Sequence, residues 1–130
     1  MSANDKQVGG DHYKANGIQY WDYCVVSETP NLEFNAGKYL LRWRKKGGVS
    51  DLEKSIHYLE KRIESRNRYI GSVRGGAYIP SLFEKMIRDN AVTEAETLII
   101  NKILHWERIG ELDAVIYDIQ DLIDSERANG

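Results

Sequence analysis

The sequence contains an internal repeat that links its two halves. Trp43 lies 63 residues before Trp106, and Gly47 lies 63 residues before Gly110. Beyond a three-residue deletion, four apolar residues align with four others at a spacing of 60: Leu52, Ile56, Leu59 and Ile63 with Leu112, Ile116, Ile119 and Ile123. Because core and turn residues are what repeats, the two halves are predicted to form structural units of one design.

Each unit has the pattern of a helical hairpin. The four apolar residues of the first set are spaced i, i+4, i+7 and i+11, which places them on one face of a helix. Helices are predicted over residues 18–26, 32–46, 50–69, 81–89, 93–109 and 111–127, and no segment is typical of a strand. A hairpin cannot bury its apolar face alone, so the two hairpins are expected to pack into a small all-α bundle with approximate two-fold symmetry.

Local signals predict the helix ends in the first hairpin. Basic residues fill the last turn of the helix over residues 32–46, where they oppose the negative end of the helix dipole. Gly47 and Gly48 then predict its end, because glycine tolerates the left-handed conformation that follows many helices. Ser50 and Glu53 have the spacing of a capping box, which predicts that the next helix begins there.

Length and composition suit one compact domain of 130 residues. Residues 1–70 would hold an irregular N-terminal arm and the first hairpin, and residues 71–130 a loop and a second, degenerate hairpin. Their net charges are +3 and −5, within a total of −2, so there is no global case for nucleic acid or membrane binding. With Cys24 as the single cysteine and a polar N-terminus, a cytoplasmic location is expected.

The first predicted hairpin has a polar, cationic face that the second does not repeat. Asn35, Lys38, Arg42 and Lys45 lie at i, i+3, i+7 and i+10, on one face of the predicted helix. The repeat aligns the first three of them with other residue types: Leu98, Asn101 and His105. A row of cations could clamp phosphate groups, since phosphoryl transfer requires mainly positioning and charge neutralisation. The alternative is a solvated face that keeps the protein soluble.

The next predicted helix carries Asp51, Lys54, Tyr58 and Lys61 on one face. Asp51 could hold a divalent metal together with phosphate oxygens, or it could be a favourable acid in a first helical turn. Tyr58 could stack on a base or pack at the core edge. The remaining candidates are interpreted as solvent-facing and not catalytic: His57, His105, Asp118, Asp121 and Asp124.

Several segments together resemble a known family. They are GDHYK at residues 10–14, IQYWD at 18–22 and NAGKYLLRWRKKGG at 35–48, continued by DLEK at 51–54 and HYL at 57–59. In order and spacing they are similar to the small phage-encoded nucleotide kinases that lack a P-loop. The resemblance implies phosphoryl transfer from a nucleoside triphosphate to a (deoxy)nucleoside monophosphate, Mg²⁺ as cofactor and the host cytoplasm as location. The chain has no GxxxxGK(S/T) motif, so conventional P-loop kinase machinery is absent and the motifs alone count against a kinase.

The resemblance also implies which residues contact the nucleotide: His12, Tyr13, Asn35, Lys38, Tyr39, Arg42, Lys45, Lys46, Lys54 and Tyr58. Within this implied site, Lys38, Arg42 and Asp51 are the expected catalytic residues, with Asp51 as the metal ligand. A homo-oligomer is expected, because a polar face opposite the core could be completed by another subunit.

Two other functions fit the same sequence. A protein that sequesters a nucleotide or nucleotide signal needs the cations and aromatic residues but neither a metal ligand nor a base. An all-helical nucleotide pyrophosphohydrolase would hold Mg²⁺ with clustered carboxylates on paired helices. The conspicuous faces here are cationic, which ranks the hydrolase third.

The asymmetry between the hairpins predicts different effects of two equivalent substitutions. Arg42→Ala should weaken nucleotide binding by about 1.5–3 kcal/mol, the scale of a charge-assisted hydrogen bond. His105→Ala, at the aligned position, should leave binding unchanged. Calorimetric titration of both variants with ATP measures the difference, and equal effects would contradict the asymmetry.

Overall fold

The computed structural model describes residues 17–68 and 74–130, and this part of the chain consists of six α-helices with no strand. They are α1 (Tyr20–Ser27), α2 (Asn31–Arg42), α3 (Val49–Arg68), α4 (Pro80–Asp89), α5 (Glu94–His105) and α6 (Gly110–Asn129). The all-α prediction is confirmed. The predicted N-terminal arm, with His12 and Tyr13, lies outside the described residues. None of the described helices is long and apolar enough to cross a membrane.

The two halves contain helices of matching length. α2 and α5 each have 12 residues, and α3 and α6 each have 20. Each helix of the first half packs against its counterpart in the second: α1 against α4, α2 against α5 and α3 against α6. Within each half the two long helices also pack together, so α2, α3, α6 and α5 form a four-helix bundle.

The short helices α1 and α4 take part in the repeat, which the apolar pattern did not indicate. α1 is followed by Glu28 with φ of 56°, and α4 is followed closely by Ala91 with φ of 51°. These two residues lie 63 positions apart, the spacing already found between the tryptophans. A left-handed residue turns the backbone away from a helix end. The repeating unit therefore comprises three helices.

Much of the core consists of residues that the repeat aligns. Both tryptophans are buried, with 6% of Trp43 and 1% of Trp106 exposed. Other core residues also occur in pairs, 63 residues apart in α2 and α5 and 60 apart in α3 and α6: Ala36 with Ile99, Leu40 with Ile103, Leu52 with Leu112, and Leu59 with Ile119. Burial of these side chains supplies the main driving force for folding.

Two buried glutamates connect the halves reciprocally. The indole N–H of Trp43 donates to Glu96 Oε2 at 2.8 Å, and that of Trp106 donates to Glu33 Oε2 at 2.6 Å. The glutamates again lie 63 residues apart, one in α2 and one in α5. Each glutamate also forms an ion pair with an arginine: Glu33 with Arg62, and Glu96 with Arg44. Each half thus provides the acceptor for the other half's tryptophan.

The predicted end of the helix over residues 32–46 is wrong. α2 ends at Arg42, and consecutive turns follow it to Gly48. The N–H groups of Lys45 and Lys46 both donate to the carbonyl of Arg42 at 3.0 Å, which tightens the chain into turns. Lys45 and Lys46 therefore lie in the turns that follow α2 and not in the helix itself.

The predicted capping box at the start of α3 is also wrong. α3 begins at Val49, so Ser50 lies inside its first turn and cannot occupy the position before it. The carboxylate of Asp51 takes over part of this role, because its Oδ2 accepts the N–H of Gly47 at 2.9 Å.

In the second half, α5 ends at His105, four residues earlier than predicted. The extended segment before α4 accounts for this end. The N–H of Gly75 donates to the carbonyl of Trp106 at 2.8 Å, and the N–H of Gly76 donates to that of Leu104 at 2.7 Å. Since these carbonyls are bonded outside the helix, the chain leaves the helical path after His105.

Gly37 is required by the close packing of α2. A Cβ atom at this position would overlap the hydroxyl of Tyr20 and the side chain of Ile100. We expect Gly37→Ala to lower the free energy of unfolding by about 1–3 kcal/mol, the scale of overpacking. Gly110→Ala is the control, because nothing lies within 4 Å of a Cβ there. Urea denaturation should show loss for the first variant only, and equal stabilities would contradict this packing.

Candidate functional site

The last turns of α2 and the first turns of α3 place three cations around one aromatic ring. Lys38 Nζ lies 4.7 Å from the centre of the Tyr39 ring, Arg42 Cζ 4.5 Å and Lys54 Nζ 5.3 Å. Cations within about 6 Å of a ring centre are attracted by its quadrupole. The Tyr39 ring in turn stacks on that of Tyr58, with centroids 5.9 Å apart and planes 12° apart. We call these five residues the tyrosine-cation cluster.

The cluster rests on the completely buried side chain of Asp51. Arg42 donates to both of its oxygens, from Nε at 3.1 Å and from a terminal nitrogen at 3.3 Å. Gly47 donates its N–H to the same carboxylate, and Lys54 Nζ lies 3.9 Å from it. Burial would raise the pKa of Asp51, but the bonds from Arg42 and Gly47 outweigh it and hold the pKa below its ordinary value. Asp51 is therefore an ionised anchor for Arg42 and for the turn.

A solvent-open pocket of about 390 Å³ adjoins the cluster. Besides members of the cluster, Ser50, Glu53 and His57 line it. Glu53 also accepts a hydrogen bond from Arg127 of α6 at 3.4 Å. The pocket therefore offers aromatic faces, an ammonium group and hydroxyl, imidazole and carboxylate groups. A phosphorylated aromatic ligand has matching chemistry, since bases stack on such rings and phosphates pair with such cations.

The structure brings most of the predicted site together, although not all of it. The residues that converge are Lys38, Tyr39, Arg42, Asp51, Lys54 and Tyr58. Lys45 and Lys46 lie in the turns that follow α2, and both are exposed. Asn35 donates its amide to the carbonyl of Asn31 one turn earlier in α2. His12 and Tyr13 lie outside the described residues.

Sequence reasoning missed three lining residues, although a signal existed. Ser50, Glu53 and His57 precede Lys54 and Tyr58 by one or four positions, which is the spacing of one broad face of α3. His57 was interpreted as merely solvent-facing. It is exposed, as predicted, but it also lines the pocket.

Asp51 does not fit the predicted role of magnesium ligand in this arrangement. Its carboxylate is completely buried, and Arg42 and Gly47 already donate to its oxygens. Mg²⁺ requires near-octahedral oxygen ligands and keeps several of its waters, which needs an accessible oxygen. Across residues 17–68 and 74–130, no group of three or more His, Cys, Asp or Glu residues is arranged to hold a metal ion.

Residues 74–130, the described part of the second half, contain no corresponding cluster of cations around a tyrosine ring. His105, aligned with Arg42, is half-buried and contacts the hydroxyl of Tyr23 through Nε2 and Asn101 through Nδ1. Burial lowers the pKa of His105. Its interpretation as solvent-facing is therefore wrong, because it contributes to packing between α1 and α5. The acidic row of α6 is exposed, as expected of a solvated face: Asp118, Asp121 and Asp124.

Comparison with known proteins gives one match. Residues 8–60 match a family described as a protein of unknown function, DUF3310. This match spans α1, α2 and the first part of α3, and therefore every residue of the tyrosine-cation cluster. No curated protein matches the chain, and no solved structure does.

The lowered pKa of Asp51 predicts a pH-dependent contribution to stability. Because the pKa is lower in the folded than in the unfolded state, this contribution is complete above the unfolded value of about 4. It is lost as pH falls through the folded-state pKa. Asp51→Asn should therefore lower the free energy of unfolding at pH 7 by about 1–3 kcal/mol, and the difference from wild type should shrink toward pH 3.

Urea denaturation at several pH values measures this difference. Asp118→Asn, on the exposed face of α6, serves as control and should match wild type throughout. A difference for Asp51→Asn that stays constant between pH 7 and pH 3 would contradict the assigned ionisation.

Proposed function

We propose that this chain binds nucleotides at the tyrosine-cation cluster and transfers a phosphoryl group from a nucleoside triphosphate to a (deoxy)nucleoside monophosphate. The observation that supports this proposal is the convergence of Lys38, Arg42 and Lys54 on the ring of Tyr39. Transfer brings two anionic nucleotides together, and fixed positive charges offset their repulsion.

Each member of the cluster has a distinct role in the proposal. Lys38 and Lys54 reach phosphate oxygens as mobile point charges, and half of the Lys54 side chain is exposed. Arg42 is held by Asp51 yet keeps 34% of its side-chain surface accessible, so it presents a positive charge at a fixed position. Tyr58 offers its ring to the base from the pocket side.

In the proposed transfer, one bond to the γ-phosphorus forms and one breaks. An oxygen of the acceptor's monophosphate forms a bond to the γ-phosphorus, the bond from that phosphorus to the β-bridging oxygen breaks, and a nucleoside diphosphate leaves. Positive charge around the moving group stabilises this change, which needs no covalent intermediate on the protein. Any Mg²⁺ would be carried by the triphosphate, because Asp51 is already bonded. Asp51 acts in this proposal by orienting Arg42.

Nucleotide sequestration without turnover is the second candidate, and one observation favours it. Asp51, the acid that both Arg42 and Lys54 contact, has both of its oxygens bonded to Arg42, which suits binding and leaves no role in metal chemistry. The pyrophosphohydrolase alternative depends on clustered carboxylates, which residues 17–68 and 74–130 do not provide. Phage origin, action in the host cytoplasm and a homo-oligomeric state stay part of the proposal.

The test follows radiolabelled γ-phosphate from ATP to each nucleoside monophosphate in the presence of Mg²⁺. We expect labelled nucleoside diphosphate, and a decrease in kcat/KM of about tenfold or more for Lys54→Ala, because one phosphate contact is lost. Lys61→Ala is the matched control on α3, exposed and paired with Glu64, and should match wild type.

Two outcomes would change the proposal in different ways. Binding of ATP without transfer to any acceptor would replace the kinase by the sequestering protein. Absence of nucleotide binding by the wild-type protein would overturn the proposal as a whole.

A further inference from the structure

The point where α2 ends is held from the other half of the molecule. Trp43 follows the last residue of α2, and its indole donates to Glu96 Oε2 at 2.8 Å. Arg44 Nε donates to the same oxygen at 2.9 Å. Two consecutive residues at the start of the turn are therefore tied to one carboxylate of α5, which is 5% exposed.

Glu96 is itself held rigidly. It is the third residue of α5 and completes a capping box with Thr93. Its N–H donates to the Thr93 hydroxyl at 3.2 Å, and its Oε1 accepts the N–H of Thr93 at 3.3 Å. One carboxylate oxygen is thus bonded within its own helix and the other to the first half. The N-terminus of α5 is a fixed point to which the turn is attached.

Hydrogen bonds within the turn connect Trp43 to the tyrosine-cation cluster. The carbonyl of Trp43 accepts the N–H of Gly48 at 2.8 Å, which closes the turn. Inside this turn, the N–H of Gly47 donates to Asp51, which also accepts hydrogen bonds from Nε and from one terminal nitrogen of Arg42. Trp43 and Arg42 are therefore connected through the hydrogen bonds of this turn.

We infer that Trp43 and Glu96 are positioning residues for the nucleotide site, so that the second half of the chain controls affinity in the first. This inference rests on the proposed function. Neither residue belongs to the tyrosine-cation cluster, and both act through the turn that carries Gly47. A ligand that pairs with several cations at once is sensitive to small displacements of any one of them.

The repeat provides a control within the same molecule. Trp106 makes the equivalent bond to Glu33, is equally buried and lies at the equivalent place after α5. Its backbone continues in an extended conformation, with ψ of 144°, and the residue before it is His105, which contacts Tyr23. The same hydrogen bond therefore stabilises the fold at both places, but only one of them adjoins the cations.

The experiment compares Trp43→Phe with Trp106→Phe in the full chain. Each substitution removes one indole N–H donor and changes no charge, and both should lower the midpoint of thermal unfolding to a similar extent. Affinity for ATP is measured by calorimetric titration well below both midpoints. We expect Kd to rise on the order of tenfold for Trp43→Phe and to stay within about twofold for Trp106→Phe.

A second readout does not depend on any ligand. In ¹H–¹⁵N spectra, the Gly47 amide and the Arg42 Nε–H should shift in Trp43→Phe, because their bonds to Asp51 are displaced. Both resonances should keep their wild-type positions in Trp106→Phe. If Trp43→Phe does not fold, the variants Glu96→Gln and Glu33→Gln make the same comparison. We expect affinity for ATP to fall at least about threefold for Glu96→Gln and to stay unchanged for Glu33→Gln.

The outcomes separate the two claims. A wild-type protein that does not bind ATP overturns the proposed function, and the spectra still decide on positioning. Equal effects of the two tryptophan substitutions on Kd and on the Gly47 amide would mean a purely structural role and overturn the inference. Wild-type affinity and spectra for Trp43→Phe would overturn it as well.

Discussion

The reciprocal hydrogen bonds between tryptophan and glutamate are the constraint on which the fold depends. Burying an ionised carboxylate is costly unless charged and hydrogen-bonding partners surround it, and a buried indole N–H also needs an acceptor. Glu33 and Glu96 meet both needs across the interface between the halves. A shift of one half against the other would leave both indoles without an acceptor and would separate Glu96 from Trp43 and Arg44, while Glu33 would keep only Arg62 of its own half. The bonds therefore favour the register in which the two halves are packed.

Much of the fold could be predicted because its signals are local in the chain. The apolar stripes of α3 and α6 follow helical spacing, and every member of those stripes is buried or partly buried. The burial of the two glutamates was not predicted, because an acid on an apolar helix face interrupts the hydrophobic pattern. The signal was present, since Glu33 and Glu96 share the spacing of Trp43 and Trp106. Partners so distant in sequence become visible only when the repeat is applied to polar residues too.

Helix ends were harder to predict than helices. The end of α2 depends on a turn that Asp51 stabilises from the next helix, and the end of α5 depends on Gly75 and Gly76. Neither interaction can be read from residue types near the helix end.

The candidate site, like the fold, could be predicted only in part. Helical spacing predicted that Lys38 and Arg42 share one face of α2, and the structure brings Lys54 of the next helix to the same tyrosine ring. It also placed Lys45 on that face, which required a longer α2 than the molecule has. The role of Asp51 could not be predicted, because a carboxylate that could coordinate a metal and one that holds an arginine look identical in sequence. Only the distances to Arg42 and Gly47 distinguish them.

The distance along the chain between the reciprocal partners has a consequence for folding kinetics. Trp43 and Glu96 are separated by 53 residues, and Glu33 and Trp106 by 73. The two hairpins can form from local contacts, but these bonds require closure of long loops, whose entropic cost precedes any gain. Each hairpin formed early would expose its acid and its indole to water until the other arrives. We therefore expect docking of the halves to be the slow event, later than helix formation.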